Sequence, residues 1–261
     1  MAGISMLLKK SLKSSARDMK ELKKKFNEIE RKFNNGEITP VEAYTQMKNL
    51  KHEYYTTAKA QNKGATESWG RFIGHRFQKL VYESLKVYVR ELKKKYKDDP
   101  EIKNLTVFSK KEVKKNKNLI RKLTVKLENY SKVPNPHIVI AAIDPLNPVD
   151  AKVLAIIWCK TTLKDGKIYA LNYWKSLLLK SNATKHIKVY LVTPDNDKYF
   201  DINPKRRSPN GKSRFRAMAE EVLDGIYIMR DDFRDEWENE KVKRYEKIVN
   251  DLVKLMRKSD C

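Results

Sequence analysis

The sequence predicts a mixed α/β core with an appended N-terminal helical domain, and three observations carry that class. Residues 138–143 and 153–158 are apolar runs of strand length, rich in β-branched side chains, on either side of the turn-forming segment DPLNPVD. Downstream, strand-like runs alternate with stretches of helical periodicity. Upstream, the first third of the chain carries apolar stripes at helical spacing.

In chain order, residues 6–33 hold Leu22, Phe26, Ile29 and Phe33 on one stripe, closed by Asn34, Asn35 and Gly36. Thr39-Pro40-Val41-Glu42 opens a second helix, expected to run to about residue 60. A threonine cap, a proline in the first turn and a glutamate placed for a capping box coincide there. Residues 61–66 read as a linker. Residues 67–97 form the longest helix, with Trp69, Phe72, Ile73, Phe77, Leu80, Val81, Leu85 and Tyr88 inward, stopped by Asp98, Asp99 and Pro100. Between 101 and 133 no element stands out: lysines crowd residues 110–118, while Leu123, Val125 and Leu127 alternate with polar residues like a half-exposed strand.

Pro134, Asn135 and Pro136 introduce the apolar hairpin. After it the chain turns polar at Cys159, Lys160, Thr161 and Thr162, then resumes as a helix through Ile168, Leu171, Trp174 and Leu178. A strand over 186–193 leads into a loop over 194–201. Residues 203–216 carry Lys205, Arg206, Arg207, Lys212, Arg214 and Arg216 with no acid among them. A helix over 217–223, a strand over 225–229 and a mixed-charge helix over 231–258 complete the chain, the last with Trp237, Tyr245, Ile248, Leu252 and Leu255 inward.

The chain has 261 residues and is 40% hydrophobic, enough for a sizeable core in one large or two modest domains. Its 57 basic and 33 acidic residues leave a net charge of +24, which draws polyanions. Nucleic acid is the first partner to consider and an anionic membrane the second, although a thermophilic source would also raise the lysine count. No apolar stretch has the length of a membrane span, and the N-terminus lacks a signal-peptide core, so a soluble cytoplasmic protein is expected. Two cysteines, Cys159 and Cys261, make neither a disulfide framework nor a zinc site.

The chemistry concentrates at Lys160. A lysine ending a buried strand is costly unless something offsets its charge. The segment CKTTLKDG after an apolar strand, followed by a helix containing NYWK and a strand ending in VTPDND, resembles the PD-(D/E)XK nucleases. It is most similar to type II restriction endonucleases of the EcoRII and CCGG-cutting group, which carry S-K-T-T/S-x-R-D/E-R. ESWGRFIGHRFQK, residues 67–79, is similar to their S-W then G-H-x-F-E helix. The resemblance spans roughly residues 67–230. It implies a restriction-endonuclease-like mixed sheet flanked by helices over 67–261; residues 1–66, outside the resemblance, are expected to be a helical region for DNA wrapping or dimerisation. It also implies hydrolysis of double-stranded DNA with Mg²⁺ held by carboxylates, a cognate methyltransferase, and Lys160 as the catalytic lysine beside the scissile phosphate.

Three carboxylates of that pattern are missing from their usual places: the first-strand aspartate reads His137, the acid two before the lysine reads Trp158, and the helix glutamate reads Gln78. Pairing Ile143 with Val153 would set Ile138 opposite Trp158 and His137 beside Lys160, leaving Asp144 at the turn end unless a bulge or slipped register draws it in. His137 and Asp144 are therefore the candidate metal ligands and catalytic partners of Lys160. Asp150, Glu83, Glu128, Glu220, Glu221 and Asp224 are the other acids considered.

Candidate DNA contacts are Thr161 and Thr162, then Lys164, Asp165 and Lys167, which occupy the place where the relatives carry guanine-reading arginines, and Lys205, Arg206, Arg207, Lys212 and Arg214 of the basic loop. Asp165 as a helix cap and a solvated surface loop would account for the same residues. The expected protein is a homodimeric type II restriction endonuclease, since two-fold DNA sites favour two-fold proteins. The alternatives are a catalytically silent DNA-binding protein on the same fold and a basic RNA- or ribosome-associated protein.

Overall fold

A computed structural model describes residues 20–60, 65–163, 167–206 and 208–257. The chain forms two compact units, Met1–Leu80 and Val81–Cys261.

The first unit contains α1 (residues 20–34), α2 (Pro40–Asn49), α3 (Lys51–Ala60) and the first half of α4 (Ala65–Lys95). The capping box forms as the sequence requires: Glu42 N–H donates to Thr39 Oγ1 at 3.2 Å and Thr39 N–H donates to Glu42 Oε2 at 2.7 Å. The single helix expected from Thr39 to about residue 60 is instead two. Leu50 N–H bonds the Met47 carbonyl at 3.3 Å, which tightens and ends α2. Tyr54 of α3 packs on Trp69 and Phe72, and Phe26 meets Phe72 edge-on at 4.9 Å, so an aromatic cluster fills this unit.

In the second unit α5 (Pro100–Asn104) is capped by Asp99, whose carboxylate accepts from Glu101 and Ile102 amides. The segment 101–133, unassigned from its pattern, holds α5, β1 (Leu105–Ser109), α6 (Lys110–Lys115), α7 (Lys117–Leu123), and a small hairpin of β2 (Val125–Leu127) and β3 (Tyr130–Lys132). The lysine-rich stretch is helical because Ser109 and Glu112 form a second capping box, which the charge density hides.

The remaining elements are β4 (Ile138–Ala142), β5 (Lys152–Cys159), α8 (Lys167–Leu179), β6 (Lys188–Thr193), α9 (Arg214–Val222), β7 (Gly225–Ile228), β8 (Val242–Arg244) and α10 (Ile248–Arg257). Among the described residues β1, β4, β5, β6, β7 and β8 form one mixed sheet in that order. β1, β4 and β5 are antiparallel neighbours, whereas β5 through β8 run parallel. One face, with Val139, Ile156, Trp158, Leu191 and Ile226, is packed with Leu119 and Leu123 of α7, Leu171 and Leu178 of α8 and Ala219 of α9. On the other, Tyr227 donates to Asp251 of α10 at 2.8 Å and Tyr245 shares a buried hydrogen bond with Ser84 of α4. Burial on both faces explains why the central strands read as unbroken apolar runs.

The helix expected over 231–258 is also corrected. Among the described residues there only α10 is α-helical, and residues 242–244 are a strand paired with β7. Asn239 Oδ1 accepts from the Lys241 and Val242 amides, and Glu238 accepts from the Arg244 amide. These side chains give the backbone bonds that a helix would otherwise make. Arg214 and Arg216, read as loop residues, belong to α9 instead, because Ser213 caps that helix by accepting from the Arg216 amide.

Candidate active site at the end of the hairpin

The β4–β5 hairpin decides which side chains meet Lys160. Its register pairs Ile138 with Ile157 and Ala141 with Val153, with a bulge between Ile140 and Ala141. The Ile143–Val153 pairing expected from the sequence does not occur, because Ile143 lies beyond β4 and donates its amide to Asn104. His137 nonetheless arrives at the strand end that carries Lys160. Its amide donates to the Ile157 carbonyl at 3.1 Å, and its Nδ1 accepts the Cys159 N–H at 2.9 Å.

Lys160 leaves β5 with its amide donating to the Val192 carbonyl of β6 at 3.0 Å, so the ladder holds its Cα one step past the last strand residue. His137 and Lys160 are both half-buried. Cys159 between them is buried, and burial raises the pKa of its thiol against the pull of the Lys160 charge, which makes it a neutral wall rather than a nucleophile. Thr161 is buried with its carbonyl accepting from Asn196 Nδ2, and Thr162 is exposed.

Asp144 is at the opposite end. It follows β4 at the turn, exposed, with Oδ1 accepting from the Leu146 amide. The length of β5 separates it from Lys160, roughly 25 Å at about 3.3 Å per residue. The single-residue bulge offsets a fraction of that, so Asp144 does not join the His137–Lys160 pair. Asp150 bonds Asn147 at the same turn. Asp224 accepts from the Val189 amide and pairs with Lys175 and Lys188 at the starting ends of β6 and β7. Glu220 is engaged by Lys212 and Arg216.

The acids that do gather where β6 and β7 finish are ones the sequence reading passed over. Asp195 is 1% exposed and accepts from the Tyr199 and Phe200 amides while pairing with Arg230. Burial pushes its carboxyl up to about 6 against those amides and that guanidinium. Asp197 accepts from the Leu163 amide at 3.4 Å, which ties the loop after β6 to the loop after Lys160. On the other flank the Lys110 amide donates to the His137 carbonyl at 2.9 Å, bringing the start of α6 alongside. Glu112 of that helix is buried enough to be raised, but the Ser109 hydroxyl and amide, the Tyr82 hydroxyl and the Lys86 charge hold it below its ordinary value. For Asp195 and Asp197 the signal was their place directly after an apolar strand, in VTPDND.

A divalent ion does not fit this set. Among the described residues no three His, Cys, Asp or Glu side chains converge to hold a metal. His137 spends its Nδ1 lone pair on a peptide N–H, and a neutral imidazole has no second one.

Of the candidate DNA contacts, Lys164, Asp165, Gly166 and Arg207 lie outside the described residues, as does the side chain of Lys167, whose backbone opens α8. Lys205 and Arg214 are exposed. Arg206 is turned inward to the Asp201 and Lys198 carbonyls, and Lys212 to Glu220. A cavity of about 300 Å³ opens beside His137, lined by Lys110, Val113, Lys114, Val133, Pro134 and Pro136 among others. No helix among the described residues is long and apolar enough to cross a membrane.

A family model and two curated relatives point to type II restriction enzymes. Residues 102–251 match the family described as BsaWI restriction endonuclease type 2. MjaVIP of Methanocaldococcus jannaschii, a type II restriction enzyme by assignment, is 32% identical over 228 residues, 85% of this chain and 93% of its own. HpyAORF263P of Helicobacter pylori, likewise a type II restriction enzyme by assignment, is 34% identical over 85 residues, 33% of this chain and 41% of its own. A solved structure of the pre-specific restriction endonuclease BsaWI with DNA aligns at 12% identity with a TM-score of 0.43, covering 92% of this chain and 83% of that one.

Proposed function

The chain belongs to the BsaWI type 2 restriction endonuclease family, and from that premise we propose that it recognises a specific site in double-stranded DNA and hydrolyses phosphodiesters there, with Lys160 as the catalytic lysine. The observation that carries the reading is the fixed position of Lys160. Its amide is tied to Val192, and its neighbour Cys159 is tied to His137. An ammonium group anchored there would lie against the scissile phosphate, orient the attacking water and offset the charge that develops on the phosphoryl oxygens.

Thr161 and Thr162 would border the phosphate, and Lys205 and Arg214 would contact the backbone farther along the duplex. Lys164, Asp165 and Lys167 keep their proposed role in base contact. The acting species would be a homodimer, matching a two-fold site, paired in its host with a methyltransferase that protects the same sequence. Mg²⁺ is what the sequence resemblance implies for cleavage. The described residues do not form a cage for it, so no step here runs through a bound ion.

Digestion of a defined genome with Mg²⁺, with the ends sequenced, tests the proposal. Discrete ends sharing one motif, lost with Lys160→Ala, are the expected result. Equal cutting by the variant would refute the assignment of Lys160.

One observation favours a second reading, a DNA-binding protein on this fold that does not cut. His137 stands where the resembling nucleases carry an aspartate, with its Nδ1 already committed. Retarded DNA with no product in any divalent ion would select that reading.

A further inference from the structure

We propose that Lys110, Lys111, Lys114 and Lys115 of α6 form a face that grips the phosphate backbone of duplex DNA without reading its sequence. The inference rests on the reading of the neighbouring strand end as the DNA site and adds a second contact surface to it.

The segment gathers four like charges where they weaken its own helix. At about 100° per residue the four lysines share one side of α6. All four are exposed, while Val113 of the same helix is buried. Lys110 with Lys114 and Lys111 with Lys115 are like-charge pairs four residues apart, a spacing at which repulsion destabilises a helix. Lys110 and Lys111 also lie in the first turn, where the helix dipole disfavours cations. The one acid of the helix does not offset them, because Glu112 accepts from the Ser109 amide and hydroxyl and from the Tyr82 hydroxyl. Among the described residues none of the four lysines pairs with an acid. A polyanion laid on this face relieves that repulsion and releases its own counterions.

The face is also held in place beside the strand end. The Lys110 amide donates to the His137 carbonyl at 2.9 Å, and buried Val113 anchors the next turn. Past α6, Asn118 and Arg121 of α7 bond the Pro148 and Val149 carbonyls, both at 3.1 Å, which ties the segment along the hairpin. The cavity of about 300 Å³ that Lys110 and Lys114 border has no acid among its described lining residues. An ammonium is a point charge without the planar fork that reads a base edge, so a face of lysines fits phosphates rather than bases.

The test is binding of two duplexes, one carrying the cleavage site and one lacking it, by fluorescence anisotropy over a series of salt concentrations. Lys111→Ala/Lys115→Ala should lower the slope of log affinity against log salt by about two and weaken both duplexes by the same factor. It should melt no lower than the wild type, since a like-charge pair is gone. Lys111→Arg/Lys115→Arg keeps the charge and should keep the wild-type slope. An alanine variant with the wild-type slope overturns the inference while leaving an endonuclease, as does a loss confined to the site-bearing duplex or one shared by the arginine variant. A wild type that binds neither duplex overturns the inference and the proposed function together.

Discussion

The amide of Lys160 donates to the carbonyl of Val192 at 3.0 Å, one residue beyond the last Cys159–Val192 pair of the parallel ladder. The backbone of Lys160 is thus held by the sheet, independently of what its ammonium group does. Lys160→Ala should fold with an unchanged melting temperature and lose cleavage by about 10²–10⁴-fold, the usual range for a positioned proton-transfer or charge-stabilising group. Parallel melting curves and single-turnover digests would check both halves.

The basic segment 203–216 divides by tertiary role. Lys205 and Arg214 are exposed, whereas Arg206 bonds the Asp201 and Lys198 carbonyls. Lys205→Ala and Arg214→Ala should each weaken DNA binding and lower the slope of log affinity against log salt by about one, with stability unchanged. Arg206→Ala should act mainly on stability. Salt titrations of all three variants test the division.

Arg216 is fully buried and bonds Glu220 Oε1 at 2.7 Å, the Phe200 carbonyl and the Trp237 carbonyl. Arg216→Ala would leave Glu220 short of a counter-charge and two carbonyls unpaired, at a cost of about 3–5 kcal/mol. Lys, with no planar fork, should restore only part. Urea denaturation of both variants measures the difference.

Asp195 gives a pH signature. Its folded pKa, about 6, lies above the ordinary 3.8, so the fold prefers the protonated acid. That contribution is fully present below pH 3.8 and is lost as pH rises through about 6. Asp195→Asn cannot titrate there, so the stability lead of the wild type over it should widen as pH falls from 7 to 4. A constant gap between their denaturation midpoints across that range would contradict this.

Much of the fold is legible in local pattern. Two-faced burial shows in the runs of β4, β5 and β6, and the Thr39 box follows directly from T-P-V-E. The segment 101–133 resisted because its elements are short, and the second capping box, Ser109 with Glu112, lies among lysines. The false helix over 231–247 arose because Trp237 and Tyr245 happen to fall at helical spacing, while Asn239 builds a turn that periodicity cannot register. At the site, the neighbourhood of His137 and Lys160 could be read from approximate register, but the acids around them could not. Asp195 and Asp197 reach that end from β6 and Glu112 from α6, through pairings between distant segments.

By itself the sequence determined the mixed α/β class, the apolar central strands of the sheet, the strong positive charge and the singular lysine after β5. Those follow from side-chain periodicity, turn chemistry and composition, all of which are local. Tertiary structure alone decided that a one-residue bulge leaves Asp144 at the turn, that the Cys159 amide occupies His137 Nδ1, and which basic residues are spent inside the protein. Strand register and hydrogen-bond partnership are set between segments far apart in the chain. No stretch of sequence carries them until the sheet has assembled.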